Sequence, residues 1–353
     1  MKHTFQTAAI LGKYLIAGFI LSTTLAVQAR SVTSSVNFSY KDWDLTCDNT
    51  LTCRAAGYSA DDSDPAATVL LTRVAGPGTP VDNKVMLADY DADTAAKNPG
   101  VPHMLIADHS LGKLMSVDGD SWQMNPVQFA ALLKALRHDS KIVFKDSVNE
   151  YIFSSAGSSA VLLKMDDVQG RVGTQGALIK KGPKDESAVK NPVPAPVIIK
   201  APVTDKESRD MTPPEMALIK PALMKLIGHA DNNCSKERLA DTWQIAGLNQ
   251  TQSLVMVPCW MGAYNDGYMY FVISNDMATP PEMITDSASF YDDGAISFSM
   301  KDRGLGDCWS NKEWVWDGKH FIQSSVSNTG RCRLIRAGGA WNMISLTTKI
   351  KSQ

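Results

Sequence analysis

The sequence GPKDESAVKNPVPAPVIIKAPVTDKESRDMTPP, Gly182 to Pro214, divides this chain of 353 residues into two parts. Prolines recur along it, mixed with Lys, Asp, Glu and Val. Because proline fixes φ and lacks a backbone N–H, so dense a run cannot form a helix or a central strand. We therefore expect a semi-extended linker over 182–211, between an N-terminal domain over 30–181 and a C-terminal domain over 212–353.

The start of the chain has the pattern of an export signal. Two lysines precede an apolar run from Tyr14 to Val27, and small residues follow as far as Ala29. This order is typical of a cleaved secretory signal, and the run is too short to span a membrane. We expect cleavage after Ala29, leaving a mature protein without a transmembrane anchor that begins at Arg30 in the periplasm or is secreted.

The length of the chain indicates how many domains it has, and its charge indicates which partners it does not bind. Without residues 1–29 the chain is still about twice the usual length of one domain, which favours two domains. The net charge is −2 and the basic residues form no long run. Nucleic acids and anionic membranes are bound by concentrated Lys and Arg, so we expect neither as a partner.

The N-terminal part contains signals for strands and for helices. Trp43 and Leu45 alternate with aspartates, which is typical of a half-buried strand. Asn125 is a suitable N-cap and Pro126 suits the first helical position, so a helix should begin there. A second helix should begin near Ser154 or Ser155. This mixture predicts an α+β fold.

The C-terminal part begins with a helix signal and continues as strands. The segment Thr212-Pro213-Pro214-Glu215 has the spacing of a capping box, and Pro221 should kink or split the helix that follows. Asp-Gly pairs flanked by apolar residues are strong hairpin signals and indicate an antiparallel meander. Three such pairs occur, at Asp266-Gly267, Asp293-Gly294 and Asp317-Gly318.

The six cysteines are expected to form structural disulfides, the default in an exported protein. Two precede the linker and four follow it, so separately folding domains require Cys47 to pair with Cys53. The other four allow three connectivities. Cys308 and Cys332 flank the Asp317-Gly318 hairpin almost symmetrically, which favours their pairing. Cysteine and histidine spacings suit neither a zinc site nor a redox site, so we expect no metal and no cofactor. The predicted disulfides are Cys47–Cys53, Cys234–Cys259 and Cys308–Cys332.

Several motifs together resemble a known family. They are Cys53-Arg54-Ala55-Ala56-Gly57-Tyr58, Met165-Asp166-Asp167-x-Gln169-Gly170-Arg171, Arg303-Gly304-Leu305-Gly306-Asp307-Cys308 and Glu313-Trp314-x-Trp316-Asp317-Gly318. The chain looks like the DUF1176 family of exported Gram-negative proteins, and its N-terminal half is similar to the invasion-associated locus B proteins. The resemblance implies an exported two-part protein with a role in the cell envelope, and it implies no catalytic mechanism.

The sequence contains no recognised catalytic constellation. The nucleophile-elbow, zinc-protease and P-loop motifs are all absent. Asp166 and Asp167 could supply paired carboxylates for acid–base chemistry. The interpretation we favour is that they form ion pairs near the end of a helix, with a basic residue such as Arg171.

The turn from Arg303 to Asp307 is the first candidate binding site. Its two glycines allow positive φ and close approach of the backbone to another group. One interpretation is a ligand loop with Arg303 as its charged anchor, leading into Trp309. The other is a tight turn in which Arg303 and Asp307 pair with each other.

Trp314 and Trp316 are the second candidate. They lie two residues apart and so share one face of a strand. An exposed pair could stack a sugar or pack against a peptide, whereas a buried pair would fill a thin core. From all these features we expect a non-enzymatic exported envelope protein that binds a protein or an envelope component. The alternative is an envelope hydrolase or modifying enzyme that uses acidic residues in an inter-domain cleft.

Overall fold

Antiparallel sheet dominates the computed structural model, which describes residues 35–88, 100–138, 140–229 and 234–353. The fold therefore contains more sheet than the predicted α+β balance. The expected export signal over residues 1–29 lies outside the described residues. Within them, no helix combines the length and the apolar character that crossing a membrane would require.

The N-terminal part consists of two sheets and two helices. The first sheet has the strand order β1-β2-β3-β4-β5-β9-β8 and the second has the order β11-β10-β6-β7. Their buried side chains, with Trp43 and Phe153 in edge-to-face contact, form one core with the helices. The elements are β1 (Val36–Tyr40), β2 (Trp43–Cys47), β3 (Cys53–Tyr58), β4 (Ala67–Arg73), β5 (Asp82–Leu87), β6 (His103–Ile106), β7 (His109–Lys113), β8 (Met115–Ser116), β9 (Trp122–Gln123), α1 (Pro126–Ala135), β10 (Ile142–Lys145), β11 (Glu150–Phe153) and α2 (Ser158–Val168).

A capping box and a glycine determine where the two N-terminal helices begin. The Asn125 side chain accepts from the backbone N–H groups of Val127 and Gln128, and the Gln128 side chain accepts from the Asn125 N–H. This capping box confirms the predicted start of α1 at Pro126. Helix α2 begins later than expected, after Gly157, whose φ of 96° only glycine adopts easily.

The C-terminal part has three layers. A five-stranded sheet of order β13-β14-β15-β16-β17 packs one face on α3 and the other on a second sheet of order β18-β19-β20-β21-β22. The elements are β12 (Val197–Lys200), β13 (Arg209–Asp210), α3 (Pro213–His229), α4 (Lys236–Ala240), β14 (Gln244–Gly247), β15 (Gln252–Met261), β16 (Asp266–Ser274), β17 (Glu282–Ala288), β18 (Phe290–Asp292), β19 (Ala295–Lys301), β20 (Trp309–Trp316), β21 (Phe321–Asn328), β22 (Met343–Leu346) and β23 (Lys349–Ser352).

Turn chemistry explains most of the meander. Asp293-Gly294 and Asp317-Gly318 occupy the predicted turns, β18–β19 and β20–β21. Asp266-Gly267 instead begins strand β16, because the turn itself precedes it. Helix α3 continues through Pro221 rather than splitting there.

The structure does not confirm the Pro-rich linker or the two-domain split. The backbone N–H groups of Lys190 and Val193 bond to the N-terminal part, at the carbonyls of Gln169 and Thr50. Further along, β12 pairs in parallel with β23, and Ala201 is buried in the C-terminal core. Proline is tolerated because the prolines lie outside the paired residues of β12. The described residues belong to one compact unit.

The three disulfides join the same cysteines as the predicted pairing, Cys47–Cys53, Cys234–Cys259 and Cys308–Cys332. Cys47 and Cys53 are directly opposite on β2 and β3. Cys308 and Cys332 join the start of β20 to the loop that follows β21, where the chain turns towards the N-terminal part. The Cys308–Cys332 disulfide therefore fixes a loop that contributes to the candidate site.

Candidate functional site

Three connections meet at the same end of the C-terminal sheets. They are residues 262–265 between β15 and β16, residues 302–308 between β19 and β20, and residues 329–342 between β21 and β22. The Asn265 side chain exchanges hydrogen bonds of 2.8 and 3.0 Å with the Lys301 backbone. The Gly338 N–H donates to the Gly306 carbonyl at 2.8 Å, so the second and third connections also touch.

The Arg303–Asp307 turn is held by its own ion pair. Arg303 donates to both carboxylate oxygens of Asp307, at 2.7 and 2.5 Å, and the Leu334 N–H donates to the same carboxylate at 2.8 Å. Burial on its own would raise the pKa of Asp307, but the hydrogen bonds from Arg303 and Leu334 outweigh it and lower the pKa. Gly306 has a φ of 70°, the left-handed conformation that glycine permits. This geometry matches the tight-turn interpretation, and ligand binding by Arg303 stays a prediction.

The apolar side chains at this end are exposed. Met261, Tyr264, Leu305 and Leu334 keep 64%, 45%, 55% and 41% of their surface accessible. A Cβ atom placed on Gly304 would lie 3.4 Å from the Tyr264 ring, so the ring rests on the turn. We call these four side chains the three-loop surface. The Cys308–Cys332 disulfide and the Arg303–Asp307 pair hold the backbone that carries Leu305 and Leu334. Met261 ends strand β15, and the hydrogen bonds between Asn265 and Lys301 hold the backbone next to Tyr264.

The tryptophans that the sequence singled out do not form an exposed platform. Trp316 is fully buried and Trp314 is 8% exposed, and both pack in the core between the two C-terminal sheets. Trp309 is half-buried, and its Nε1 donates to the Gly306 carbonyl at 3.0 Å. The Lys301 ammonium lies 5.5 Å from the centre of the Trp309 ring. The burial of Trp314 and Trp316 corrects the platform interpretation, because a stacking face must be accessible.

The third connection also reaches the N-terminal part, and we call residues 329–342 the clamp loop. Arg331 makes a two-pronged ion pair with Asp44, at 2.8 and 2.7 Å. The Trp341 Nε1 donates to the Thr68 hydroxyl at 2.8 Å. Further ion pairs join Arg333 to Asp42 and Asp61, and Arg336 to Asp120.

Sequence reasoning missed the clamp loop. Three arginines, Arg331, Arg333 and Arg336, occur there, but their spacings of two and then three residues fit no single strand or helix period and so suggest no shared face. The partner aspartates lie in unrelated N-terminal segments, so sequence alone could not associate them with these arginines. The clamp loop and the buried side chains of Tyr58, Ile335 and Trp341 join the two parts into one body.

Asp166 and Asp167, the two aspartates considered for acid–base catalysis, contact different partners. Asp166 is buried and accepts from the backbone N–H groups of Leu178 and Ile179, whereas Asp167 is exposed and pairs with Lys164. Burial raises the pKa of Asp166. The two carboxylates therefore do not act as a pair.

A cleft of about 330 Å³ lies between β4, β5, the β8–β9 turn and the clamp loop. Its acidic residues include Asp118 and Asp120, which pair with Lys84 and Arg336. A hydrogen bond from Ser121 lowers the pKa of Asp118, the opposite of what a general acid needs. This geometry gives the hydrolase alternative no support.

The described part of the chain brings one set of potential metal ligands together, Asp307, Cys308 and Cys332. The two sulfur atoms are already joined to each other, so they cannot act as thiolate ligands. The set therefore fits a structural role.

The fold and the site define a disulfide-bonded protein of mostly antiparallel sheet, whose two parts are joined by a clamp loop. The family model described as "Protein of unknown function (DUF1176)" matches residues 37–348, and the chain belongs to that family. A protein of Escherichia coli (strain K12) described as "Uncharacterized protein YpfG" is 25% identical over 337 residues, covering 88% of this chain and 92% of its own. No solved structure matches the chain. The similarity to invasion-associated locus B proteins stays a prediction.

Proposed function

We propose that this protein is exported to the cell envelope, where it acts without catalysis by binding a partner protein through the three-loop surface. The observation that carries the proposal is the exposure of four large apolar side chains on backbone held by a disulfide, an ion pair and the Asn265 hydrogen bonds. Exposed apolar groups that are already ordered lose little conformational freedom on binding, which favours association.

The chemistry of the surface favours a protein over a membrane or a sugar. Lys301 and Asp302 offset each other, and Arg303 is neutralised by Asp307, so the surface lacks the excess positive charge that attracts anionic lipid. Trp314 and Trp316, which could have formed a stacking platform for a sugar, are buried, and Tyr264 is the one aromatic side chain of the three-loop surface. Leucine, methionine and tyrosine side chains suit a protein interface.

Export is supported by the disulfides and by the N-terminal sequence. Three disulfides are typical of an oxidising compartment such as the periplasm. The basic start, apolar run and small residues before Arg30 add a second, independent reason. A periplasmic location is part of this proposal.

Affinity capture with matched variants tests the proposal. The mature protein, Leu305→Ser/Tyr264→Ser, and the control Val127→Ser would each be immobilised and exposed to an envelope extract from the source cells. Val127 is 72% exposed and lies on α1, away from the three loops. We expect the wild type and the control to retain the same proteins, and the double variant to lose them while keeping its melting temperature. Equal capture by all three, or no capture by the wild type, would contradict the proposal.

A further inference from the structure

Strands β12 and β23 form a parallel pair that has no third strand among the described residues. Their register places Val197 opposite Lys349, Ile198 opposite Ile350 and Ile199 opposite Lys351. Parallel sheets are normally covered on both faces by their crossover helices, and a two-stranded pair alone is only marginally stable. An isolated parallel pair at the surface is therefore unusual.

One face of this pair is exposed and carries both apolar and basic side chains. Val197 and Ile199 keep 51% and 43% of their surface accessible, while Ile198, on the opposite face, is 6% exposed. Ile350 pairs with Ile198 and so lies on that other face, where it is still 46% exposed because β23 is the outer strand. Isoleucine and valine favour a pleated, covered surface, so the side chains suit a larger sheet than the one present.

The outer edge of β23 offers backbone groups for a further strand. The Lys349 N–H donates to the Pro196 carbonyl and the Gln353 N–H donates to the Lys200 carbonyl, so these groups face β12. Backbone direction alternates along a strand. The N–H and C=O groups of Ile350 and Ser352 therefore point to the open edge, where a third strand would pair.

The positive charge of β23 determines which kind of strand could pair with it. Lys349 and Lys351 are exposed on the same face as Val197 and Ile199, and neither has a carboxylate within ion-pair distance in the described ranges. A second copy pairing through β23 would bring the lysines of both copies together, which disfavours self-association. An acidic strand would instead place carboxylates beside them.

We propose that the open edge of β23 accepts an extended, acidic segment of a partner protein as a third strand. Main-chain hydrogen bonds to Ile350 and Ser352 would supply affinity, and contacts to Lys349 and Lys351 would supply selectivity. This surface is separate from the three-loop surface, so the proposal does not depend on the function proposed above.

A charge-reversal experiment tests it with defined probes. The probes are a labelled, end-capped hexapeptide of alternating Glu and Val, and its counterpart of alternating Lys and Val. They would be titrated into the mature protein, into Lys349→Glu/Lys351→Glu and into the control Lys225→Glu/Lys236→Glu. The control makes the same change in net charge at exposed helix positions. Binding is followed by fluorescence anisotropy, and amide exchange is followed by NMR.

We expect the acidic peptide to bind the wild type and the control, and to bind the β23 variant roughly tenfold or more weakly. The lysine peptide should show the reverse preference, and added salt should weaken both. Exchange at the Ile350 and Ser352 amides should slow on binding, with little change at Lys349. Absence of binding by the acidic peptide, equal binding to all three proteins, or no protection at those two amides would overturn the proposal.

Discussion

Arg331 in the clamp loop forms a two-pronged ion pair with Asp44 in β2, across a separation of 287 residues in the chain. The same guanidinium group donates to the Trp43 carbonyl and lies 5.8 Å from the centre of the Tyr58 ring. Both charged side chains are about four-fifths buried. This arrangement joins the last loop of the C-terminal sheet to the first hairpin of the N-terminal sheet.

Replacing Arg331 with Ala should therefore destabilise the whole protein. The change leaves the Asp44 carboxylate partly buried without its partner, at a cost of roughly 1–3 kcal/mol in the free energy of unfolding. Urea denaturation of Arg331→Ala, Asp44→Ala and the double variant would give the coupling energy. The control Lys141→Ala removes an exposed ion pair with Asp108 and should change stability little. Additive effects of the two single changes would show that the pair is not coupled.

The segment that the sequence marked as a linker should resist proteolysis. Residues 182–193 bond to the N-terminal part, and residues 197–205 bond to β23 and to the C-terminal core. Backbone held in this way cannot enter a protease site without local unfolding. Brief digestion with trypsin, followed by mass spectrometry, should place the first cuts elsewhere. First cuts within 182–214 that release two folded fragments would instead restore the two-domain prediction.

Local features of the fold were predictable because their causes lie within a few residues. The Asn125 cap, the Asp293-Gly294 turn and the Cys47–Cys53 hairpin each depend on contacts that short segments specify. The partnership of β12 with β23 joins segments far apart in the chain, and proline density pointed away from it. Proline in fact excludes only the positions it occupies, so Val197–Lys200 can pair between Pro196 and Pro202.

The candidate site was predictable in part for the same reason. The glycines of the Arg303–Asp307 turn marked it, and the ion pair joins residues four apart in the chain. Exposure of Tyr264 and Leu305 could not be predicted, because an apolar residue in a turn carries no signal of what covers it. The burial of Trp314 and Trp316 depends on the second sheet, which strand alternation alone does not specify.

The Cys308–Cys332 disulfide should contribute more stability than Cys47–Cys53. The first closes a separation of 24 residues and the second a separation of 6. Loop-closure entropy in the unfolded chain then favours the larger loop by about 1 kcal/mol. Thermal denaturation of Cys308→Ser/Cys332→Ser and Cys47→Ser/Cys53→Ser should rank them in that order. The opposite ranking would mean that native-state contacts, and not chain entropy, dominate.

Truncation of the buried tryptophans tests the core between the C-terminal sheets. Trp316→Ala removes a fully buried ring that packs on Phe321, with ring centres 5.2 Å apart. We expect a loss of roughly 3–5 kcal/mol, because transfer energy and packing contacts are lost together. Trp309→Ala removes a half-buried ring and should cost less. The urea midpoints of the two variants measure both changes. An unchanged midpoint for Trp316→Ala would support the exposed-platform interpretation.

The buried Asp307 carboxylate should make stability depend on acid pH. Hydrogen bonds from Arg303 and Leu334 keep its pKa below 3.8, the ordinary value for an aspartate, despite burial. A lowered pKa in the folded state means that the contribution is fully present above pH 3.8 and is lost as pH falls through the folded-state value. Asp307→Asn should therefore lower stability at neutral pH and reduce the dependence of stability on acid. Urea midpoints from pH 7 to pH 2.5 would measure this for wild type and variant, with Asp302→Asn, an exposed neighbour, as the control. Parallel pH profiles for wild type and Asp307→Asn would show that the pair with Arg303 does not hold the turn.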